Sequence, residues 1–410
     1  MSAPAPVERA GELDARDPLA PFLGRFLPPQ DGALVAYLDG NSLGRPPRAV
    51  VERMHDLVTG SWGTRLIRGW SDEWMTWPET TGDLLAAAVL GAAPGQTVVA
   101  DSTTVMLYKL ARAAVDAQAG TGRDEVVLDT DNFPTDRYVL EGVAAERGLT
   151  LRWVRTDPAR GITVEDVAAA VGPRTALVVF SHVAYRSGWL ADAEAITRVA
   201  HDAGALVLWD LCHSVGAVPV ELDAWGVDLA VGCTYKYLCG GPGAPAFGYV
   251  REGLQDRLRQ PIWGWMGRRD PFEMGPGYQP APGIRGLVSG TPPIVGMLPV
   301  RVGVELVAEA GIEAIRAKSV LLTDYAIELV DAWPAGLGVE VASPRDSARR
   351  GGHVTIRRGD FREVTEALWR RGVIPDFRAP DGIRLGLSPL STTFTETCQA
   401  LEVLRELLTG

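Results

Sequence analysis

The chain has 410 residues, 46% apolar and 22% charged, enough for two or three folded units at about 150 residues each and a poor match to disorder, collagen or a multi-span membrane protein. Its 51 acidic against 40 basic side chains leave a formal charge of −11, the wrong sign for broad attraction to nucleic-acid phosphates or anionic lipid. Neither partner is expected. The start, Met1 to Arg9, has neither the basic region nor the apolar run of a secretory signal, and the most apolar stretch, Leu84 to Ala93, is about half of the ~20 residues that span a bilayer as a helix. The four cysteines, Cys212, Cys233, Cys239 and Cys398, form no C-x-x-C pair and have no histidine at zinc-ligand spacing. That pattern predicts free thiols in a reducing cytoplasm, with no metal centre and no disulfide framework.

Residues 1–58 read as an arm serving a smaller domain, with turn chemistry at Asp39-Gly40-Asn41-Ser42 and Pro46-Pro47 before a helix over Val50 to Val58. From about residue 98 to 250, short β-rich apolar runs alternate with helix-length amphipathic segments. Strands are predicted at Glu125 to Leu128, Leu151 to Val154, Thr175 to Phe180, Ala205 to Trp209, Leu229 to Cys233 and Ala246 to Val250. Helices are predicted over 105–118, Thr163 to Val171 and Ala191 to Ala203, the last stopped by Gly204. This alternation predicts an α/β large domain over 59–293, its mostly parallel sheet covered on both faces. After the Pro/Gly-rich stretch 271–293, one long helical pattern from Ile294 to Ala332 precedes strands near His353 to Ile356 and Ile383 to Leu387, and helices over 361–371 and 394–408. Residues 294–410 thus read as a smaller α+β domain.

Lysine occurs only at Lys109, Lys236 and Lys318, so any lysine chemistry has three candidates. Lys109 and Lys318 lie inside helical patterns, where a solvated face is the expected home of an ammonium. Lys236 differs, because Cys233-Thr234-Tyr235-Lys236 closes one predicted strand while Trp209-Asp210-Leu211-Cys212-His213 closes another. Residues just beyond the carboxyl ends of strands line the ligand crevice of an open α/β sheet, so Asp210, His213 and Lys236 can converge there. Burial favours the neutral amine, the form that makes a Schiff base. For the residues alone two readings stay open: this chemistry, or an aspartate opening a turn beside a lysine that reaches to water. Asp101-Ser102-Thr103-Thr104 precedes the helix over 105–118, where it serves equally as a phosphate anchor or as a plain helix cap.

Several segments together resemble the kynureninase family of fold-type-I pyridoxal phosphate enzymes, related to the class V aminotransferases. They are Leu38-Asp39-Gly40-Asn41-Ser42-Leu43-Gly44, the Asp101-Ser102-Thr103 turn, Asn132-Phe133-Pro134-Thr135-Asp136, Trp209 to Ser214, Thr234 to Leu238, Gly264-Trp265-Met266-Gly267 and Ser289-Gly290-Thr291-Pro292-Pro293. Any one is weak; jointly they are specific and span nearly the whole chain. The resemblance implies a seven-stranded, mostly parallel sheet with a smaller α+β domain, and a pyridoxal 5'-phosphate cofactor carried on Lys236. It implies that Asp210 and His213 hold the pyridine-nitrogen side, that Phe133 stacks on the ring with Pro134 and Thr135 beside it, and that Asp136 and Ser181 lie near the ring substituents. Thr103, Thr104, Tyr235, Trp265 and Thr291 would hold the phosphate, Trp265 and Thr291 reaching across from the partner subunit of a homodimer. Arg384 would grip the substrate α-carboxylate, and Tyr235 would relay a proton. The implied reaction is hydrolysis of the Cβ–Cγ bond of L-kynurenine, or of a 3-hydroxy or otherwise ring-substituted relative, to an anthranilate and L-alanine.

Five positions depart from the family pattern: Met106, Ala184, Cys239, Arg268 and Ser391. They are expected in segments adjoining the site, where they bear on substrate choice. The tryptophans Trp62, Trp70, Trp74 and Trp77 could stack on an aryl substrate or form core and interface. His55, His201 and His353 read as surface or satisfied core residues, and His182 is left open. The rivals are a class V aminotransferase or cysteine desulfurase, for which Cys239 is the one candidate nucleophile, and a catalytically silent dimeric relative.

Overall fold

Two sheets organise the chain in the computed structural model, which describes residues 5–29 and 32–410. The strands in chain order are β1 (Ala36–Leu38), β2 (Thr97–Val99), β3 (Glu125–Asp129), β4 (Thr150–Val154), β5 (Thr175–Ser181), β6 (Leu206–Asp210), β7 (Leu229–Gly232), β8 (Phe247–Val250), β9 (Glu340–Val341), β10 (His353–Arg357), β11 (Val373–Arg378) and β12 (Gly382–Gly386). The larger sheet has the order β2-β8-β7-β6-β5-β3-β4. Strands β4, β3, β5, β6 and β7 pair in parallel, and β8 runs antiparallel to both β7 and β2. This is the seven-stranded, mostly parallel sheet expected. Its central strands are buried on both faces, so they appear in the sequence as continuous apolar runs such as Val126-Val127-Leu128.

One apolar cluster fills each face. Val127, Val178 and Trp209 point to one side, while Val126, Val179 and Leu208 point to the other, the alternation that a period-two strand imposes. The smaller sheet, β1-β11-β12-β10-β9, joins the N-terminal arm to the C-terminal half through parallel pairing of β1 with β11.

The long helical pattern from Ile294 to Ala332 is two helices, Ile294–Ala310 and Ile312–Asp331. They break at Gly311, whose φ of 78° lies in the region that side chains resist. The first helix carries Met297, Val300 and Val304 into the large-sheet core, while the second carries Leu322, Tyr325 and Ala326 into that of the small sheet. Ile315, early in the second helix, still belongs to the large-sheet core. Strands β1, β2, β9 and β11 and the helix Pro134–Arg147 have no counterpart among the predicted elements.

Candidate active site

Four strands of the large sheet end on one rim, and the loops that follow them build the site. After β3 comes Asn132-Phe133, with Pro134 opening the next helix. Ser181 ends β5, Asp210 ends β6 just before Cys212 and His213, and Tyr235-Lys236 follow β7. Opposite this rim, the register of the small sheet sets Arg384 of β12 between Thr355 of β10 and Asp376 of β11.

A cavity of about 190 Å³ lies between the two sheets, lined by Thr103, Thr104, Phe133, Thr135, Asp136, Asp210, His213, Tyr235, Lys236 and Arg384 from the sequence-derived set. Asn41, Ser42, Cys212 and Arg378 complete its wall. Asn41, Ser42 and Cys212 lie within the family-like segments, where the pattern implied no role for them. Arg378 belongs to a strand that the pattern did not reveal. Pro134 and Ser181 lie just behind the wall: Ser181 Oγ donates to Asn132 Oδ1 at 2.8 Å and to Asp210 Oδ2 at 3.3 Å. Trp265 and Thr291 do not line this cavity. Thr291 borders a separate surface depression with Asp101 and Ser102, and Trp265 is 41% exposed.

Lys236 Nζ lies 3.2 Å from His213 Nε2 and 5.9 Å from the centre of the Phe133 ring. Asp210 Oδ1 accepts from the Cys212 amide at 2.8 Å. Beside it, Asp136 is buried with its Oδ2 unpartnered among the described residues. Burial, and then the neighbouring Asp210, hold the Asp136 carboxyl well above its ordinary range. Two buried carboxyls facing one cavity are suited to an N–H donor or cation between them and the lysine. Across the cavity, Ser102 caps the helix Thr103–Ala117, leaving its first amides toward an anion. Burial, with Cys233 and Cys212 adding, pushes the Tyr235 hydroxyl up, so it stays a proton donor at neutral pH.

Arg384 is buried and nearly saturated. Its Nε donates to Asp376 Oδ2 at 2.7 Å, Nη2 donates to the same oxygen and to Ser42 Oγ at 3.0 Å, and Nη1 donates to the Tyr185 carbonyl at 2.8 Å. The Nε/Nη2 edge is therefore committed to Asp376. Four of its five N–H groups are thus engaged, and one on Nη1 is left where Arg384 lines the cavity next to Ser42 and Arg378.

Several expectations change. Lys109 and Lys318 are not on a solvated face: Lys109 is fully buried, bonded to Asp101 and to the Leu287 carbonyl, and Lys318 pairs with Asp17 at 2.7 Å. Arginine-rich composition leaves few lysines, and these two long side chains bridge elements within the core. His353 is fully buried, a core residue whose ring meets the Tyr185 and Arg186 carbonyls and lies 5.7 Å from the His213 ring. His182 bonds Ser214 Oγ at 3.0 Å beside Trp209 and Trp225, a core role. None of Met106, Ala184, Cys239, Arg268 and Ser391 lines the cavity of this chain. Met106 packs under Gly248, and Arg268 pairs with Glu273. Trp62, Trp70 and Trp74 border an apolar depression of about 370 Å³ with Pro292, Pro293 and Val295, apart from Lys236.

All four cysteines are free and buried. Burial pushes the Cys239 thiol up to about 12, and its sulfur packs so tightly on Gly44 that a Cβ there would come within 2.5 Å. The desulfurase reading needs an exposed, mobile thiolate, and Cys239 is neither.

Comparison with known proteins agrees with this geometry. The Kynureninase C-terminal domain family matches residues 315–404, and the DegT/DnrJ/EryC1/StrS aminotransferase family matches residues 84–221. Solved structures of similar fold include a cysteine desulfurase from Thermococcus onnurineus NA1 (TM-score 0.79, 20% identity, 100% of both chains) and one from Escherichia coli (TM-score 0.80, 18% identity, 95% of this chain and 98% of that one). At such identities the likeness concerns the fold, which is that of the fold-type-I pyridoxal phosphate enzymes. Among curated proteins, the kynureninase of Pseudomonas fluorescens is 42% identical over 97% of this chain and 94% of its own length, and that of Burkholderia pseudomallei strain 1106a is 42% identical over 98% and 95%. With such identity along nearly its whole length, and with lysine, carboxylates and arginine facing one cavity, the chain belongs to the kynureninase family.

Proposed function

We propose that this protein hydrolyses the Cβ–Cγ bond of L-kynurenine, or of a ring-substituted relative, to an anthranilate and L-alanine. The observation that carries this reading is the convergence of Lys236, Asp210 and Arg384 on one cavity, in a chain 42% identical to kynureninases. The residues fit pyridoxal 5'-phosphate: an amine inside the cavity, a buried Asp136 oxygen without a partner beside Asp210, and free amides at the start of the helix Thr103–Ala117. When bound, the cofactor supplies an electron sink for charge developing at the substrate α-carbon.

The chain's own groups do the rest. Lys236 Nζ would hold the cofactor and serve as the base that takes the proton from Cα. Asp210 would hold the ring-nitrogen side of the cofactor, with Asp136 beside it and Ser181 as its hydrogen-bond donor. Phe133, with Pro134 and Thr135 at the following helix start, would hold the ring face; Thr103, Thr104 and Tyr235 would hold the phosphate. Arg384 would orient the α-carboxylate through its free Nη1 N–H; water would add to the γ-carbonyl, and as the hydrate collapses to the aryl acid the Tyr235 hydroxyl would give a proton to Cβ.

We further propose a homodimer in which Trp265 and Thr291 complete the partner's phosphate site. Both lie outside the chain's own cavity, and the segment holding Thr291 runs on into the Pro292-Pro293-Ile294 wall of the apolar tryptophan depression. Exposed Trp62, Leu66, Ile67 and Val295 suit such an interface. Among the described residues no helix is long and apolar enough to cross a membrane, and four unpaired thiols favour a cytoplasmic home.

The test is to supply the purified protein with pyridoxal phosphate and L-kynurenine and follow anthranilate fluorescence against Lys236→Ala. Anthranilate release that depends on the lysine supports the reading. A cofactor absorption band without anthranilate would leave the Schiff base standing and refute the substrate.

A further inference from the structure

A second depression, of about 290 Å³, adjoins the catalytic cavity and takes no part in the reaction above. The register of the small sheet places it. On one face of that sheet, Asp376, Arg384 and Thr355 form a row across β11, β12 and β10, and Arg378, Gly382 and Arg357 form the next row, two residues further along each strand. Arg384 in the first row lines the catalytic cavity, while Gly382 in the second leaves the floor of the depression free of a side chain between two arginines. From the large-sheet side, Pro158 and Ala159 of the loop after β4 and Arg186 of the loop after β5 close over it. Ala342 and Pro380 add apolar wall. Arg378 belongs to both hollows, one on either side of it.

The three arginines differ in how far they are spent. Arg357 gives its Nε and Nη2 to the two oxygens of Asp381, at 2.9 and 3.0 Å. Arg186 gives its Nε to the Tyr185 hydroxyl at 2.9 Å, with Asp131 3.0 Å away, and Arg378 has its Nε 3.1 Å from Asp376. The terminal nitrogens of Arg186 and Arg378 have no hydrogen-bond partner among the described residues, so one free guanidinium end comes from each side of the depression. Of the carboxylates there, Asp381 is taken by Arg357, and Asp157 accepts from the Ala159 amide at 2.9 Å. Proline and alanine walls with free guanidinium ends suit a flat apolar body that carries one carboxylate. The volume lies at the small end of ligand pockets, roughly 300 Å³, which is room for a single-ring compound.

We propose that this depression is a second ligand site, for an aromatic monocarboxylate of the class that the reaction releases. The ring lies against Pro158, Ala342 and Pro380, and the carboxylate takes the free ends of Arg378 and Arg186. The link to the protein's own product rests on the reading of the reaction as kynurenine hydrolysis; the chemistry of the site does not. Because Arg378 also walls the catalytic cavity, a carboxylate that draws it into the depression takes a positive charge from beside Arg384. Substrate still enters the cavity, and turnover slows.

Calorimetric titration of the cofactor-loaded protein with anthranilate is expected to show binding that aniline, which lacks the carboxylate, and acetate, which lacks the ring, do not match. Crystals soaked in anthranilate should hold the ring in the depression, its carboxylate roughly 2.7–2.9 Å from a terminal nitrogen of Arg378 or Arg186. Arg186→Gln, and Ala159→Trp, which fills the depression from an exposed loop position, should each weaken that binding roughly tenfold, the scale of one charge-assisted hydrogen bond. As a product inhibitor, anthranilate should lower kcat with KM little changed. Ala159→Trp should relieve this inhibition while keeping the parent's kcat and KM when no product is added. Purely competitive inhibition, anthranilate found only in the Lys236 cavity, density in the depression without calorimetric binding, or parent affinity in both variants overturns the proposal. If Ala159→Trp does not fold, Arg186→Gln and the soaked crystal decide the matter. If the parent releases no anthranilate from L-kynurenine, the reading of the reaction fails, and calorimetry and the soaked crystal then judge the site by themselves.

Discussion

Replacing Arg384 by lysine keeps the charge and removes the fork. In the parent, the guanidinium spends its Nε/Nη2 edge on Asp376, reaches Ser42 and the Tyr185 carbonyl, and keeps one Nη1 N–H for the cavity it lines. An ammonium in the same place is a single point with three donors, and Asp376 would hold it back from the ligand. The substrate carboxylate would then lose the charge-assisted contact of the one free Nη1 N–H in the ground state and the transition state alike. A hydrogen bond to a charged group is worth about 1.5–3 kcal/mol, so the loss is about 2 kcal/mol, or roughly thirtyfold in kcat/KM. The assay is anthranilate release over a range of L-kynurenine concentrations, with cofactor absorbance and circular dichroism confirming a loaded, folded protein. Most of the loss should appear in KM, because the contact is made before the chemistry begins. A substrate analogue lacking the α-carboxylate should be processed equally by the two proteins. A folded Arg384→Lys enzyme within threefold of the parent kcat/KM would mean that the carboxylate is held elsewhere, with Arg378 the next candidate.

Lys109→Met removes a buried ammonium that ties the Asp101 turn to the Leu287 carbonyl; because Asp101 is partly exposed, the expected loss is about 2–3 kcal/mol in chemical denaturation, at the low end for a broken buried pair. Cofactor affinity should fall with it, since Thr103 and Thr104 follow that turn, and unchanged stability and affinity would count against the account. Burial pushes the Asp129 carboxyl up from 3.8 to about 7, with Asp131 adding to the effect. Between these values the folded state binds more protons than the unfolded one, so this group's contribution is present below about pH 4 and is lost as pH rises through 7. Asp129→Asn should therefore exceed the parent in stability at pH 8, by on the order of 2–4 kcal/mol, and match it near pH 4. A difference that does not change with pH would refute this.

Much of the large domain was legible in the sequence because parallel strands covered on both faces must be apolar throughout. Val126-Val127-Leu128 and Ala176 to Phe180 therefore stand out, and the residues that end such strands, Asp210 and Lys236, point to a crevice before any coordinate is known. Short edge strands carry no such signal: Thr97–Val99 has three residues, and Val373–Arg378 is interrupted by Pro375 and Asp376. Gly311 divides one continuous helical pattern because only the fold requires a positive φ there. The lysines and His353 show the same limit in the side chains. A lysine on a helix pattern reads as solvated until tertiary packing sets Asp101 and the Leu287 carbonyl around it, and a lone histidine reads as ordinary until β10 is laid beside β12 and its ring is turned toward His213. Local pattern carries periodicity and strand ends. The partners of buried charges come from contacts across hundreds of residues, as when β1 joins β11 and Ser42 meets Arg384, and only the folded chain decides them.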